Sequence, residues 1–150
     1  VLPAMKRFLT ESEAGLALSL NATTDELRTR LMPHNARWPI DALLGLLREE
    51  GARQPGRRFL VEYVLLGGVN DTDEDARRLG SLLQGIDAQL NVIPHNPFAG
   101  SRYSAPSHAA TVRFQDQLRS QKLNSIVRWP RGADVAGACG QLALRHVPAA

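Results

Sequence analysis

Short apolar runs alternate with amphipathic stretches along most of this chain, and this alternation is the strongest constraint on its fold. Runs rich in leucine, isoleucine and valine predict strands at 16–20, 59–66, 90–94 and 125–129. Helical patterns lie between them, at 2–9, from Thr23 through Leu31, and at 39–51, 71–84 and 106–121. Strands that alternate with helices predict a parallel sheet covered by helices, either doubly wound or part of a barrel.

The helix at 39–51 has the clearest pattern. Pro39 begins it, Gly51 ends it, and apolar residues recur with helical spacing at Ile40, Leu43, Leu44 and Leu47. At the start of the preceding helix we predict a capping box, in which the Thr23 side chain accepts a backbone N–H and Glu26 reaches back.

Composition excludes several classes of protein. The chain of 150 residues contains one cysteine, so it forms no internal disulfide and no cysteine-only metal site. The four histidines lack metal-ligand spacing, and we predict no metal ligands. No apolar run is long enough to span a bilayer and no signal peptide is visible, so we expect a cytoplasmic protein. The net charge of +3, mostly from arginine, permits an RNA partner without requiring one.

Three polar segments follow predicted strands, at 19–21, 94–97 and 131–143. Ligands of parallel α/β folds gather at the carboxyl ends of the strands, so we expect these segments to converge on one site.

The single cysteine, Cys139, lies in the third segment. A lone cysteine is most often a small buried apolar residue. Glycines on both sides of Cys139 permit close backbone approach, and Arg131 and Asp134 put charges near the thiol. These neighbours favour a thiol that can be ionised and reached.

The chain also contains an ordered set of motifs: SLNAT at 19–23, RLMP at 30–33, EYVLL at 62–66, VND at 69–71, NVIPHNPF at 91–98 and ACGQL at 138–142. In these it resembles the radical S-adenosylmethionine adenine-C2 RNA methyltransferases of the RlmN type, which are related to the Cfr resistance enzymes. The match runs from Val1 to about Ala143. The resemblance implies an α/β fold that is the C-terminal half of a partial (βα) TIM-like barrel, with parallel strands and outer helices. Residues 1–150 would form one partial domain, with a catalytic cysteine tail at about 131–143.

The resemblance also implies a reaction. Cys139 would first be methylated on sulfur by one S-adenosylmethionine. A second molecule, cleaved at a [4Fe-4S] cluster, would supply a radical that activates this methyl group for addition to C2 of an adenine in 23S rRNA, and in tRNA as well. A second cysteine would then release the product.

Site residues are carried over by position. Ser19, Leu20 and Asn21 match the segment that holds S-adenosylmethionine; many relatives have histidine at the position of Asn21. Asn96 matches a cofactor-contacting asparagine in a Pro-x-Asn-Pro turn, although asparagine is also an ordinary turn former. Glu62, a carboxylate in an apolar strand, must be paired or face the barrel interior, so it forms a structural salt bridge or contacts the cofactor.

The chain departs from the family pattern in what it lacks. One cysteine cannot supply the Cys-x-x-x-Cys-x-x-Cys ligands of the cluster or the second, resolving cysteine. We therefore expect the chain to be a truncated part of a longer, monomeric enzyme whose N-terminal half is missing, and this fragment alone to be inactive. The alternatives are a degenerate, non-catalytic remnant or RNA-binding module, and a C8-directed relative of the Cfr type.

Overall fold

A computed structural model describes residues 1–98 and 100–129. The helices are α1 (Leu2–Glu11), α2 (Asp25–Leu31), α3 (Ile40–Arg53), α4 (Asp73–Leu83) and α5 (His108–Ser120), with a 3₁₀ turn at Pro33–Ala36. The strands are β1 (Ala17–Ser19), β2 (Phe59–Leu65), β3 (Ala88–Pro94) and β4 (Ser125–Val127). The predicted elements are confirmed, with ends that differ by a few residues.

The four strands form one parallel sheet in the order β1-β2-β3-β4. Because each right-handed crossover moves to the next strand in the same direction, all the connecting helices lie on one face of the sheet. A doubly wound fold would reverse direction and place helices on both faces. The sheet is therefore an arc of a (βα) barrel, which confirms the expected fold class.

The core lies between the sheet and the helices. Side chains of β2 alternate between buried and half-buried along the whole strand. Phe59, Val61, Tyr63 and Leu65 pack against the helices, whereas the residues between them face the opposite side, which we call the open face. All four apolar positions predicted for the helix at 39–51 are buried in α3.

Two predicted helix signals are wrong. α3 runs on through Gly51 to Arg53, because the buried Leu47 and Glu50 keep the last turn packed. The predicted capping box at Thr23 does not form, since Thr24 caps α2 by accepting from Leu27 N. The Thr23 hydroxyl instead donates to Asp75 Oδ1 on α4, 2.8 Å away.

The capping box of this fold is at the start of α4, where Thr72 and Asp75 bond reciprocally. Arg78 donates to both Asp75 and Thr23, so this partly buried cluster joins α4 to the loop after β1. Over the described residues, the longest helices are too short and too polar to cross a membrane.

Tyr63 provides a test of the core. Its ring stacks on Phe114, with ring centroids 5.6 Å apart, and its hydroxyl donates to Asn70 O over 3.1 Å. Burial raises the pKa of Tyr63, and the charge of Asp75 raises it further. The folded protein therefore keeps the phenol neutral at a pH where an unfolded chain ionises it, near pH 10.

We expect Tyr63→Phe to lower the free energy of unfolding by about 1 kcal/mol at pH 7, through loss of the hydrogen bond. Above about pH 10 the unfolded wild-type chain releases a proton that the folded chain retains. The contribution of Tyr63 to the free energy of unfolding is therefore lost as the pH rises. The difference in the free energy of unfolding between wild type and variant, measured by urea unfolding, should therefore become smaller between pH 7 and pH 11. A constant gap would contradict the assignment.

Candidate functional site

Two of the three predicted polar segments meet at the carboxyl end of β2. The side chain of Asn21 accepts a hydrogen bond from Val64 N over 2.9 Å, and His95 N donates to Leu65 O over 2.9 Å. The loops after β1 and β3 thus bind consecutive residues of β2, which confirms their expected convergence. The third segment, with Cys139, lies outside the described residues.

Asn21 ends β1 because its side chain replaces a main-chain hydrogen bond of the β1–β2 ladder. The parallel ladder includes Leu60 N to Leu16 O and Leu20 N to Glu62 O, and its next rung would join Val64 N to Leu20 O. Asn21 Oδ1 takes that place instead, with the residue in a left-handed conformation at φ 59°. Asparagine tolerates this region better than most residues, and the exchange leaves Leu20 O for another donor.

Arg28 of α2 is that donor. Its Nε donates to Leu20 O over 2.9 Å and its terminal nitrogens donate to Ser19 O over 3.0 Å and to Asn35 Oδ1 over 2.6 Å. The residue is only 5% exposed. Burial lowers the pKa of the Arg28 guanidinium, and the nearby Asp25 carboxylate opposes this shift. A buried cation therefore supports the main chain of the predicted cofactor segment.

Asn70, just before α4, fastens the ends of β1 and β2 together. Its Nδ2 donates to Asn21 O and Val64 O, 2.9 and 2.8 Å away, and its Oδ1 accepts from Leu66 N over 2.7 Å. Asn70 is completely buried. Its amide thus satisfies three backbone groups that the end of the sheet leaves unpaired.

A polar row crosses the open face. The strand register aligns Ser19 with Glu62 and Glu62 with Asn91, and we call these three residues the polar row. Adjacent strands are about 4.8 Å apart, so side chains of the row are neighbours. Asn91 accepts from Gln89 and Arg128, each over 3.3 Å.

Glu62 has no ion-pair partner within 1–98 and 100–129. The structural salt bridge expected from the sequence is thus not found among these residues. Glu62 does lie on the open face, which is the interior position that the sequence predicted.

The structure gives the other predicted site residues different surroundings. Leu20 is completely buried in the core, so only its main chain is available to a ligand. Ser19 is half-buried at the edge of the open face, and Asn96 is half-buried in the loop after β3. The Asn21 side chain is already committed to Val64 N.

The loop that carries Asn96 is held at both ends. His95 Nε2 lies 2.9 Å from Ser101 Oγ, which in turn donates to Tyr103 O. Further along, Gly67 N donates to Ser104 O over 3.0 Å. A Cβ at Gly67 would lie 2.5 Å from the carbonyl oxygen of Ala105, so this close approach of two loops requires glycine.

The residues present do not fit an iron–sulfur cluster. Over the part of the chain that the structure describes, no three His, Cys, Asp or Glu side chains are grouped as metal ligands. The whole sequence contains one cysteine, and such clusters need several thiolates. This chain by itself therefore cannot bind such a cluster.

Comparisons with known proteins agree with this geometry. No family model matches the chain. A dual-specificity RNA methyltransferase RlmN from Anaeromyxobacter dehalogenans is 48% identical over 99% of the chain, which spans 40% of that relative. The crystal structure of a radical SAM methyltransferase from Sphaerobacter thermophilus superposes with a TM-score of 0.88, at 39% identity over 94% of this chain and 41% of that one.

A domain of a pyruvate-formate lyase-activating enzyme from Bacteroides vulgatus has a TM-score of 0.63 at 13% identity, over 85% of this chain and 72% of that domain, and this likeness concerns the fold alone. The parallel sheet thus matches that of a solved methyltransferase of the radical S-adenosylmethionine class. Within that class, the resemblance to the RNA methyltransferases of the RlmN type is confirmed over nearly the whole chain.

Arg28 and Asn70 are functional residues that the sequence did not predict. Asn70 lies in one of the quoted motifs, which marked its position but not its contacts. Arg28 lies in a helix with four other polar or charged residues and looks like part of a solvated face. Only the tertiary structure shows that both side chains are buried.

Asn70→Ala should lower the free energy of unfolding by roughly 2–4 kcal/mol, because three buried backbone groups lose their partner. The midpoint of urea unfolding measures the effect. Asn124→Ala, at an exposed asparagine, is the matched control and should change the stability by less than about 0.5 kcal/mol. Equal effects of the two substitutions would contradict the role assigned to Asn70.

Proposed function

We propose that this chain is the C-terminal part of a radical S-adenosylmethionine enzyme that methylates C2 of an adenine in 23S rRNA, and in tRNA. Residues 1–150 would form one partial domain of that enzyme. The observation that carries the proposal is the 48% identity to an RlmN methyltransferase over 99% of the chain. The convergence of the loops after β1 and β3 on β2 supports it, because the predicted cofactor residues lie on those loops.

S-adenosylmethionine would bind across the open face at the carboxyl ends of the strands. The Ser19 hydroxyl and the main chain of 19–21 would contact it from β1, and the Asn96 side chain would contact it from the loop after β3. Within residues 1–98 and 100–129, no hydrogen bond occupies the donors or the acceptor of the Asn96 side-chain amide. Glu62 would meet the cationic amine or the ribose hydroxyls, for which a carboxylate is a strong acceptor.

Cys139 would carry the methyl group. After losing its proton, its sulfur attacks the methyl carbon of S-adenosylmethionine; a new S–CH₃ bond forms as the sulfonium C–S bond breaks, and S-adenosylhomocysteine leaves with the electron pair. A thiolate suits this step because it is both a good nucleophile and, later, a good leaving group.

Transfer from Cys139 to RNA needs chemistry that this chain does not contain. C2 of adenine is electron-poor and does not attack a methyl group by polar displacement, so radical chemistry is required. A [4Fe-4S] cluster supplies that chemistry when bound, and the one cysteine of the chain cannot hold it. The N-terminal part of the enzyme would provide the cluster ligands and the second cysteine. We place the monomeric whole enzyme in the cytoplasm, with its RNA substrates.

The test is methylation by the complete protein, reconstituted with its cluster and supplied with unmethylated 23S rRNA and tRNA. Nucleoside mass spectrometry should detect 2-methyladenosine with wild type and none with Cys139→Ser, because serine cannot accept and release the methyl group. Ser81→Ala, on the exposed surface of α4, should behave as wild type. Formation of 8-methyladenosine would reassign the target carbon. Failure of the wild-type protein to methylate either RNA would overturn the proposal.

Glu62→Gln tests the polar row. We expect the affinity of the complete protein for S-adenosylmethionine to fall about tenfold, since an ionised acceptor is worth more than a neutral one. The melting temperature should stay within about 2 °C, because Glu62 makes no ion pair that the substitution would break within the described residues. The control is Glu49→Gln, at an exposed ion pair with Lys6. Unchanged affinity would remove Glu62 from the site.

A further inference from the structure

We propose that Arg28 is a positioning residue, which sets the conformation of the segment Ser19–Asn21 for S-adenosylmethionine. The inference rests on the proposed function and adds a residue to it. Arg28 lies on α2, after β1, and its side chain reaches back to the carbonyl oxygens of Ser19 and Leu20. It thus acts on the segment through the main chain of Ser19 and Leu20.

The geometry requires a donor at this place. Asn21 Oδ1 has taken the position in the ladder that Leu20 O would occupy, so Leu20 O turns away from β2. Ser19 lies at the end of β1, an edge strand whose one neighbour in the described chain is β2. Two consecutive carbonyls at the end of a strand would otherwise lack partners at a buried site, which is costly. Arg28 supplies both hydrogen bonds from one rigid group.

The guanidinium is itself held in place. Asn35, in the 3₁₀ turn, accepts from Arg28 over 2.6 Å and donates to Asp25 Oδ1 over 2.8 Å. Asp25 Oδ1 also accepts from Ile40 N, at the start of α3, over 2.9 Å. The chain of contacts from α3 to Ser19 therefore fixes the plane of the guanidinium, and with it the direction of the two carbonyls. Lysine, with one ammonium and no planar fork, cannot reproduce this arrangement.

A role of Arg28 in positioning Ser19–Asn21 and a role in stabilising the fold alone predict different results. If Arg28 orients Ser19 for the ligand, its loss weakens the binding of S-adenosylmethionine by protein that is still folded. If Arg28 only stabilises the fold, its loss lowers the melting temperature and the folded fraction, while folded molecules bind as before. The affinity of folded protein is thus the measurement that separates them.

Arg57 offers a matched control on the same chain. Its guanidinium also donates to two main-chain carbonyls, Leu9 O over 2.6 Å and Ser12 O over 3.0 Å. Arg57 lies just before β2, at the amino ends of the strands, whereas the predicted site lies at their carboxyl ends. Arg57→Met therefore removes the same kind of interaction at a place where the proposal expects no effect on the ligand.

The experiment uses the complete protein and measures S-adenosylmethionine binding by calorimetry at 10 °C, together with the KM and kcat for methylation. We expect Arg28→Met and Arg28→Lys each to raise the Kd and the KM for S-adenosylmethionine about tenfold, with kcat at saturating cofactor within about threefold of wild type. Arg57→Met should lower the melting temperature and leave the Kd within about twofold.

Where Arg28→Met does not fold, Asn35→Ala answers the same question, because it releases the guanidinium without removing its charge. We expect a smaller rise in Kd, of about threefold, for Asn35→Ala. Wild-type affinity in the folded Arg28 variants, or in Asn35→Ala, would overturn the positioning role and leave the proposed function intact. Absence of binding by the unaltered complete protein would instead overturn the proposed function, and this inference with it.

Discussion

The carboxyl end of β1 depends on side chains that take the place of main-chain hydrogen bonds. Asn21 completes a rung to β2, Asn70 binds the carbonyls of Asn21 and Val64, and Arg28 binds the carbonyls of Ser19 and Leu20. Each of these backbone groups would be unpaired where the regular ladder stops, and buried groups without partners are strongly unfavourable. The loop after β1 can therefore be irregular in shape and still rigid.

A rigid carboxyl end of β1 matters because the two faces of the sheet have different chemical character. One face packs on α3, α4 and α5 through an apolar core, and the other presents the polar row of Ser19, Glu62 and Asn91. The side chains of a strand alternate between faces, so a shift of one residue in register would put Glu62 in the core. The hydrogen bonds at the end of β1 and the packing of the helices oppose such a shift together.

The described sheet leaves β1 and β4 with one neighbour each. The chain spans 40% of the RlmN relative and 41% of the structural relative with the higher TM-score. Its one cysteine falls short of the ligands that an iron–sulfur cluster needs. Under the proposed function, these residues would form part of the S-adenosylmethionine site, and the rest of the enzyme would supply the cluster ligands.

The sequence by itself determined the elements and their class, because hydrophobic period and turn residues are local signals. They located all four strands and five helices of the described chain, and the convergence of two polar loops followed from the rule for parallel sheets. The motif order also identified the relatives, although the comparisons leave the roles of Ser19, Leu20, Asn21, Asn96 and Cys139 as predictions.

Only the tertiary structure decided between a barrel arc and a doubly wound sheet, since strand order depends on contacts between distant segments. It also decided which polar side chains are buried. Thr23 pairs with Asp75, which is 52 residues away, and so gives up the cap that its local sequence favours. Arg28 and Asn70 have ordinary local sequences, and their importance comes from backbone groups that meet them only when the chain has folded. A local pattern cannot reveal such partners, because the unsatisfied hydrogen bonds arise from the assembly of the sheet itself.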